Sequence, residues 1–168
     1  MDRCNKLIIL LVLMYVLIPQ KISYAYENTS NNDTLVESST TNKQTKAVVN
    51  LTSEQISLLS RVVEGEARGE SYEGQVAVAA VVLNRIKDSR FPNTIEEVVY
   101  QKNAFSIVQD GAINNEPTTS SKKAAIEALY GQDPTNQAIY FWNPDIATCN
   151  WIKTLNPHMR IGNHVFAR

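Results

Sequence analysis

Apolar and polar positions alternate with a helical period directly after residue 50. In the stretch "LTSEQISLLSRVV", Thr52 is followed three residues later by Gln55, which is the spacing of a capping box. The apolar positions that follow fall on one helical face: Leu58, Leu59, Val62 and Val63. The pattern therefore predicts an amphipathic helix over residues 53–66.

The next segment, "GQVAVAAVVLNRIKDS", is apolar nearly all round from Val76 to Leu83. A helix without a polar face is buried on most sides, so we expect it to be the central helix of the domain. Its length and its alanines disfavour the alternative, a buried strand.

Shorter patterns predict the remaining helices and the strands. Thr94 with Glu97 predicts a capped short helix through Tyr100, and "SSKKAAIEALYG" predicts a helix that ends at Gly131. The aromatic and β-branched stretches "AIYFW" and "HVFA" are typical of short strands. The sequence thus predicts an α+β fold that is mostly helical, with a small antiparallel β element.

The region before this domain divides into two parts. Residues 1–25 hold a short basic lead, an unbroken apolar run, Pro19 and the small residues Ser23 and Ala25, which is the layout of a secretory signal peptide. The run is short against the roughly 20 apolar residues of a spanning helix, although an uncleaved anchor is the alternative. Residues 26–50 are crowded with Asn, Thr and Ser and predict a flexible polar spacer. We therefore expect export across the cytoplasmic membrane and one folded domain over 51–168.

Candidate chemistry is concentrated in "VVEGEARGESYEG", residues 62–74. Glu66 lies three residues after Val63 and four after Val62, so it falls on the apolar face of its own helix. Burial there would raise the pKa of the carboxyl, which suits a general acid. On spacing alone, a structural ion pair with Arg68 or Arg85 is an equal alternative.

The other three glutamates of this stretch have ordinary interpretations. Glu64 falls on the opposite side of the helix, beside Arg61 and Arg68, and is predicted to be a solvated charge. Glu70 follows where glycines loosen the chain. Glu73 precedes the second helix and would favour its N-terminus.

The segment "GEARGESYEGQVAVAAVVLNR", residues 65–85, closely resembles the signature of the SleB/CwlJ family of bacterial cell-wall hydrolases. The resemblance continues through "FPNTIEEVV", "AFSIVQDG", "AIYFWNPDIAT" and "IGNHVF" and so covers residues 51–168. It implies a lysozyme-like catalytic domain that acts on the glycan strands of peptidoglycan. It also implies that Glu66 is the single catalytic glutamate. Spore cortex breakdown during germination is the best-known context of the family.

A single acid favours a lytic transglycosylase, in which the substrate's own hydroxyl is the nucleophile. A hydrolytic muramidase is the close alternative and would need a second carboxylate, for which Glu70, Glu73 and Asp110 are candidates. A peptidoglycan-binding module without catalysis is the third interpretation.

Further residues are expected around Glu66. The residues expected to bind sugar, each with a core or turn role as its alternative, are Phe105, Ser106, Tyr140, Asn143 and Trp151. The residues expected to support Glu66 without touching substrate are Arg68, Glu70, Asn84 and Arg85.

Other enzyme classes fit the sequence poorly. A zinc amidase needs a set of His and acidic ligands, but the chain has only His158 and His164, at a spacing that matches no helical ligand pair. A cysteine peptidase would pair Cys149 with one of them, but Cys149 lies in a predicted loop. We therefore expect no metal and no cofactor.

The expected partner is peptidoglycan. The net charge of −1 lacks the basic footprint of a nucleic-acid binder. Longer family members carry a peptidoglycan-binding domain ahead of the catalytic one. Here a signal and a spacer stand in that place, so an accessory protein for targeting is an open expectation. Cortex versus vegetative wall, and the oligomeric state, are left open by the sequence.

Overall fold

Five helices and one three-stranded sheet form residues 46–168, the part of the chain that the computed structural model describes. The helices are α1 (Ser53–Glu66), α2 (Tyr72–Lys87), α3 (Ile95–Val99), α4 (Ser106–Gln109) and α5 (Thr119–Leu129). The strands are β1 (Tyr140–Trp142), β2 (Met159–Ile161) and β3 (His164–Ala167). Short 3₁₀ turns lie at Ala112–Asn114 and Ile152–Thr154.

The capping box at the start of α1 is present as predicted. The Thr52 backbone N–H donates to Gln55 Oε1 at 2.9 Å, and the Gln55 backbone N–H donates to Thr52 Oγ1 at 3.3 Å. These bonds satisfy amide groups that have no partner inside the helix. The predicted bounds of 53–66 are confirmed, and Glu66 is the last helical residue.

Helix α2 is the central helix, as its apolar pattern predicts. Every residue from Val76 to Arg85 is buried. Its apolar side chains pack with those of α1, α3 and α5 in the main core. A second group of side chains from α2 packs against the sheet. The short helix capped by Thr94 and the helix before Gly131 are confirmed as α3 and α5.

The sheet is antiparallel throughout, in the order β1-β3-β2. Phe166 in β3 lies opposite Phe141 in β1 and Met159 in β2. The predicted strands are β1 and β3. Strand β2 was not predicted, because its three residues lack a strand pattern. It pairs with β3 through a tight turn in which Gly162 has a φ of 57°, a conformation that glycine adopts without a steric penalty.

The domain begins before residue 51. The Val48 backbone N–H donates to Leu129 O at 2.9 Å, and Ala47 and Val49 pack against the main core. Residues 46–50, which we assigned to the spacer, therefore contact the domain. The predicted signal peptide and the spacer through residue 45 lie outside the described residues. No helix in residues 46–168 has both the length and the apolar character that crossing a bilayer requires.

Candidate active site

The Glu66 carboxyl lies where the end of α1 meets the start of α4. Ser106 Oγ donates to Glu66 Oε1 at 3.1 Å, and the Ile107 backbone N–H donates to the same oxygen at 3.3 Å. The Glu66 residue is half-buried. Both of these hydrogen bonds fall on Oε1.

Gly65 makes this approach of α4 to α1 possible. A Cβ atom at position 65 would overlap Ile107 Cγ2. The missing side chain lets Ile107 pack directly on the α1 backbone, and this contact sets its amide within reach of Glu66. Glycine costs an exposed helix about 0.5–1 kcal/mol relative to alanine, so this position favours close packing over helix propensity.

Burial raises the pKa of Glu66 above its ordinary value. The hydrogen bonds from Ile107 and Ser106 and the charge of Arg85 oppose that rise, but burial outweighs them. The direction of the shift agrees with the prediction from the helical period. A carboxyl with a raised pKa holds its proton closer to neutral pH, as a general acid must.

Arg85 is a buried cation at the floor of this region, with 7% of the residue exposed. Its Nε donates to Ile139 O at 2.8 Å. Its Cζ lies 5.1 Å from the ring centre of Phe105, 5.3 Å from that of Phe91 and 6.0 Å from that of Tyr140. Burial lowers the pKa of Arg85 to about 10, so the guanidinium stays charged at neutral pH.

Glu66 makes no close ion pair with either of the two arginines that the sequence offered as partners. Within residues 46–168, no ion pair within 4.0 Å joins Glu66 to Arg68 or Arg85. Arg68 lies 3.8 Å from Glu64 instead, with 70% of its side chain exposed. Of the two arginines, only Arg85 is placed to act on Glu66, and it does so through its charge.

The surroundings of Glu64 differ from those that the sequence predicted. Only 14% of its side chain is exposed, so it is not the solvated charge that we expected. Its Oε2 accepts from the Thr118 backbone at 3.1 Å, from Thr118 Oγ1 at 2.8 Å and from Ser121 Oγ at 2.7 Å. Helical spacing on α1 does not reveal that α5 begins beside it. Glu64 therefore joins α1 to the first turn of α5.

Asn84 and Phe105 also differ from expectation. The Asn84 amide donates to Asp133 Oδ2 at 2.9 Å and to Ala138 O at 3.2 Å, so it holds the loop before β1 rather than Glu66. Phe105 is 2% exposed and packs under Arg85 and against Phe141. A side chain so buried cannot stack on a sugar, and its neighbour Ser106 is the residue that faces Glu66.

The remaining predicted sugar contacts lie at the sheet. Tyr140 and Trp151 are half-buried, with ring centres 5.4 Å apart and planes at 78°. Asn143 Oδ1 accepts from the Asp145 backbone at 2.9 Å, so this side chain holds a turn. Phe91, which sequence reasoning missed, packs on Tyr140 with ring centres 5.9 Å apart.

The candidate second acids have other surroundings. Asp110 Oδ1 accepts from the Ala112 backbone at 2.9 Å. Glu73 is exposed in the first turn of α2. Glu70 is bound on both oxygens by Asn163, at 3.1 and 3.0 Å. Of the three, only Glu70 has both oxygens bonded by another residue.

The two histidines contact different residues. His158 Nε2 is 2.8 Å from Thr135 O, and His164 Nδ1 is 3.9 Å from Glu70 Oε1. Burial lowers the pKa of His164. In the described part of the chain, no three His, Cys, Asp or Glu side chains are grouped as metal ligands would be.

Comparison with known proteins gives consistent matches. The family model described as Cell Wall Hydrolase matches residues 69–167. A spore cortex-lytic enzyme from Bacillus cereus is 45% identical over 127 residues, which are 76% of this chain and 49% of that protein. The enzyme of that name from Bacillus subtilis is 47% identical over 111 residues, which are 66% of this chain and 36% of that protein. The chain thus spans half the length of these relatives or less.

Two solved structures are also similar. One is the catalytic domain of the Bacillus cereus SleB protein, with a TM-score of 0.67, 45% identity and coverage of 71% of this chain and 93% of that one. The other is the catalytic domain of the germination-specific lytic transglycosylase SleB from Bacillus anthracis, with a TM-score of 0.68, 45% identity and coverage of 70% and 97%. The predicted fold class, mostly helical and lysozyme-like with a small antiparallel sheet, is confirmed.

Proposed function

Because the chain belongs to the cell wall hydrolase family, we propose that it cleaves the glycan strands of peptidoglycan by lytic transglycosylation. The observation that carries the proposal is the Glu66 carboxyl, whose pKa is raised by burial while Ser106 and Ile107 hold one of its oxygens. The similar SleB domain from Bacillus anthracis is described as a germination-specific lytic transglycosylase, which supports this choice.

Glu66 acts first as an acid. Its proton passes from Oε2 to the glycosidic oxygen, and the bond from that oxygen to C1 of the muramic acid breaks. The Ser106 hydroxyl and the Ile107 amide then stabilise the carboxylate that remains, because both already donate to Oε1. The charge of Arg85 favours the same ionised form.

Glu66 then acts as a base. The 6-hydroxyl of the same muramic acid attacks C1, its oxygen forms the new bond, and its proton returns to Glu66. The products are a free 4-hydroxyl and a 1,6-anhydro ring, and no water is consumed. Because the nucleophile belongs to the substrate, its effective concentration is high and no second carboxylate is needed.

The surroundings of the other acids support this mechanism over hydrolysis. Hydrolytic enzymes of this type use two carboxyl groups on the two sides of the scissile bond. Glu70 is occupied by Asn163, and Asp110 accepts from its own loop. Neither of these two carboxyl groups is therefore the favoured water-activating base, and Glu73, which is exposed in the first turn of α2, is the remaining candidate for the hydrolytic alternative.

Two aromatic residues that pack on each other are our candidates for the glycan groove. Tyr140 and Trp151 present half-buried rings at right angles to one another. Such rings bind sugars by offering an apolar face together with a polar edge. Ser106 lies between the catalytic carboxyl and solvent. We assign Asn143 a lesser part, because its oxygen is already bonded in a turn.

Spore cortex is the substrate that we propose. The relatives from Bacillus cereus and Bacillus subtilis are both spore cortex-lytic enzymes. A wall substrate requires export, for which the predicted signal peptide over residues 1–25 would serve.

Mass spectrometry of the digestion products tests the proposal. The wild-type protein should release fragments with anhydro-muramic ends from cortex peptidoglycan, and Glu66→Gln should reduce their rate of release by at least about 100-fold. Glu116→Gln is the matched control, because 93% of that side chain is exposed. It should retain the wild-type rate.

Each of the other possible results would support a different conclusion. Reducing muramic ends would replace the transglycosylase reaction by hydrolysis, and Glu73→Gln and Asp110→Asn would then identify the second acid. Wild-type activity in Glu66→Gln would refute the proposed acid. Release of no fragment by a folded wild-type protein, together with retention on peptidoglycan, would leave a binding module.

A further inference from the structure

We propose that Glu70 is a positioning residue for Glu66, and this inference rests on the proposed function. Its carboxylate clamps the turn between β2 and β3 to the segment that follows Glu66. The clamp thereby sets the catalytic carboxyl relative to the sheet side of the site.

The clamp consists of two hydrogen bonds across the fold. The Asn163 backbone N–H donates to Glu70 Oε2 at 3.1 Å, and Asn163 Nδ2 donates to Glu70 Oε1 at 3.0 Å. The two residues are 93 positions apart. Only 7% of the Glu70 side chain is exposed. Hydrogen bonds to a buried charged group are stronger than those between neutral groups, so this link holds the two segments firmly.

The neighbours of Glu70 are shaped to hold it. A Cβ atom at Gly162 would overlap Glu70 Oε2, and one at Gly74 would lie 3.0 Å from Glu70 Cβ. The carboxylate therefore sits between two residues that have no side chain. His164 completes the surroundings, with Nδ1 3.9 Å from Glu70 Oε1.

A short path joins the clamp to Glu66 along the chain. The Glu70 backbone N–H donates to Ala67 O at 3.1 Å, which closes a tight turn directly after α1. Gly69 in this turn has a φ of 83°. Ala67 is the residue next to Glu66 and is 1% exposed. A displacement of Glu70 would thus be passed to the end of α1, because the hydrogen bond closes a turn of only four residues that begins at the buried Ala67.

A second path runs from the sheet. The ring of His164, which follows Asn163, packs on Phe141 with ring centres 5.2 Å apart. Phe141 packs in turn on Phe105 at 6.4 Å. Phe105 precedes Ser106, which donates to Glu66. The clamp therefore connects to both supports of the catalytic carboxyl, the end of α1 and the start of α4.

The contacts of Glu70 favour a positioning role over an acid–base role. Both oxygens of Glu70 accept from Asn163, and the side chain is almost fully enclosed. A base must contact the water that it activates, and the enclosure of the Glu70 side chain leaves almost no room for such a water. Glu70 therefore acts through the position of Glu66 and not through a proton of its own.

Glu70→Gln alone and in combination with Asn163→Asp tests the clamp in the full-length protein. The single variant removes the charge that strengthens both hydrogen bonds, and its glutamine nitrogen can bond Asn163 only after the Asn163 amide turns over to present its oxygen. We expect kcat to fall about 10- to 100-fold with KM within about threefold of wild type, because misplacement by roughly 1 Å has an effect of this size.

The double variant restores the pairing with exchanged roles. The glutamine oxygen at position 70 can accept from the backbone N–H of residue 163, and the glutamine nitrogen can donate to the new aspartate carboxylate at position 163. We expect kcat to return to within about fivefold of wild type, with anhydro ends still formed. Recovery without an ionisable group at position 70 would support positioning. A second catalytic acid at Glu70 requires that the double variant stay as slow as Glu70→Gln.

Two further measurements keep the test decisive. Asn163→Ala removes one donor but keeps the backbone N–H, so it should fold and give an intermediate loss in kcat even if Glu70→Gln does not fold. A wild-type kcat in Asn163→Ala and Glu70→Gln would overturn the clamp. Glu66→Gln in the same assay separates the two proposals: an active Glu66→Gln refutes the proposed function, whereas an inactive one with no rescue in the double variant refutes the clamp alone.

Discussion

Burial, hydrogen bonds and a nearby charge have opposing effects on the pKa of the Glu66 carboxyl. Burial favours the neutral carboxyl, whereas the bonds from Ser106 and Ile107 and the charge of Arg85 favour the carboxylate. Since the proposed reaction needs both forms in turn, a site that stabilised either one alone would be slow in one of its two steps. Burial outweighs the other effects, so the pKa of Glu66 lies above its ordinary value.

The first prediction concerns the stability of Glu66→Gln at different pH. Because the pKa of Glu66 is higher in the folded than in the unfolded protein, its contribution to stability is complete below the usual glutamate pKa of about 4.3. This contribution is lost as the pH rises through the folded-state pKa. Glutamine has no such loss. The free energy of unfolding of Glu66→Gln, relative to wild type, should therefore increase between pH 4 and pH 7 in urea titrations.

Glu54→Gln provides a control of opposite sign on the same helix. Hydrogen bonds at its own backbone amide and from Thr52 lower the pKa of Glu54. Its contribution to stability is thus present above the usual glutamate pKa and is lost as the pH falls through the lowered value. Glu54→Gln should lose stability relative to wild type as the pH rises. If the two variants followed the same trend, the assignment of burial to Glu66 would be wrong.

At the scale of elements, the contact between α1 and α4 makes the site. Helix α4 has only four residues, Ser106–Gln109, and no side chain caps its start. A helix so short is not stable by itself. Packing of Ile107 against Gly65 and the bonds to Glu66 hold it in place. The site and the element that completes it therefore depend on each other.

The second prediction is that Gly65→Ala is harmful although alanine is the better helix former. The added methyl would overlap Ile107 Cγ2 and would move α4 away from Glu66. We expect the free energy of unfolding to fall by about 1–3 kcal/mol, as for other overpacked sites. We also expect activity to fall at least about 10-fold, because the donors to Glu66 are displaced. Chemical denaturation and product release measure the two effects.

A compensating substitution controls for this change. Ile107→Ala in the Gly65→Ala background removes the overlapping atoms and keeps the backbone N–H at position 107. Activity should rise relative to Gly65→Ala alone. A Gly65→Ala protein that is active and about 0.5–1 kcal/mol more stable, the usual gain from replacing a helical glycine, would show that α4 does not need this contact.

At the scale of the whole molecule, residues 46–50 belong to the folded unit. Val48 hydrogen-bonds to Leu129 at the end of α5, and Ala47 and Val49 pack on the core. The third prediction is that a protein comprising residues 51–168 folds but is less stable than one comprising 46–168. The expected difference is about 1–3 kcal/mol, for one hydrogen bond and partly buried side chains.

Urea denaturation of the two fragments, with product release measured on both, tests this boundary. Activity should persist in the shorter fragment, since the hydrogen bond that is lost joins Val48 to the end of α5 and not to Glu66. Val49→Ala in the longer fragment is the control, and it should account for part of the difference. Equal stability of the two fragments would place residues 46–50 outside the folded unit.

The elements of this protein follow from its sequence alone where their causes are local. Capping boxes and apolar faces involve residues three or four positions apart, so α1, α2, α3 and α5 could be predicted, and so could the placement of Glu66 on an apolar face. The family resemblance likewise rests on residues in order along the chain. These are the features for which distance along the sequence and distance in space agree.

Only the tertiary structure determined which residues bind the three glutamates. Ser106 lies 40 positions from Glu66, Asn163 lies 93 positions from Glu70, and Ser121 lies 57 positions from Glu64. No local period encodes which helix end meets which loop, because that depends on how the core packs. For the same reason Phe105 proved buried and its neighbour Ser106 proved to face the carboxyl. The sequence determined the carboxyl and its helix, and the packing of distant segments determined what holds it.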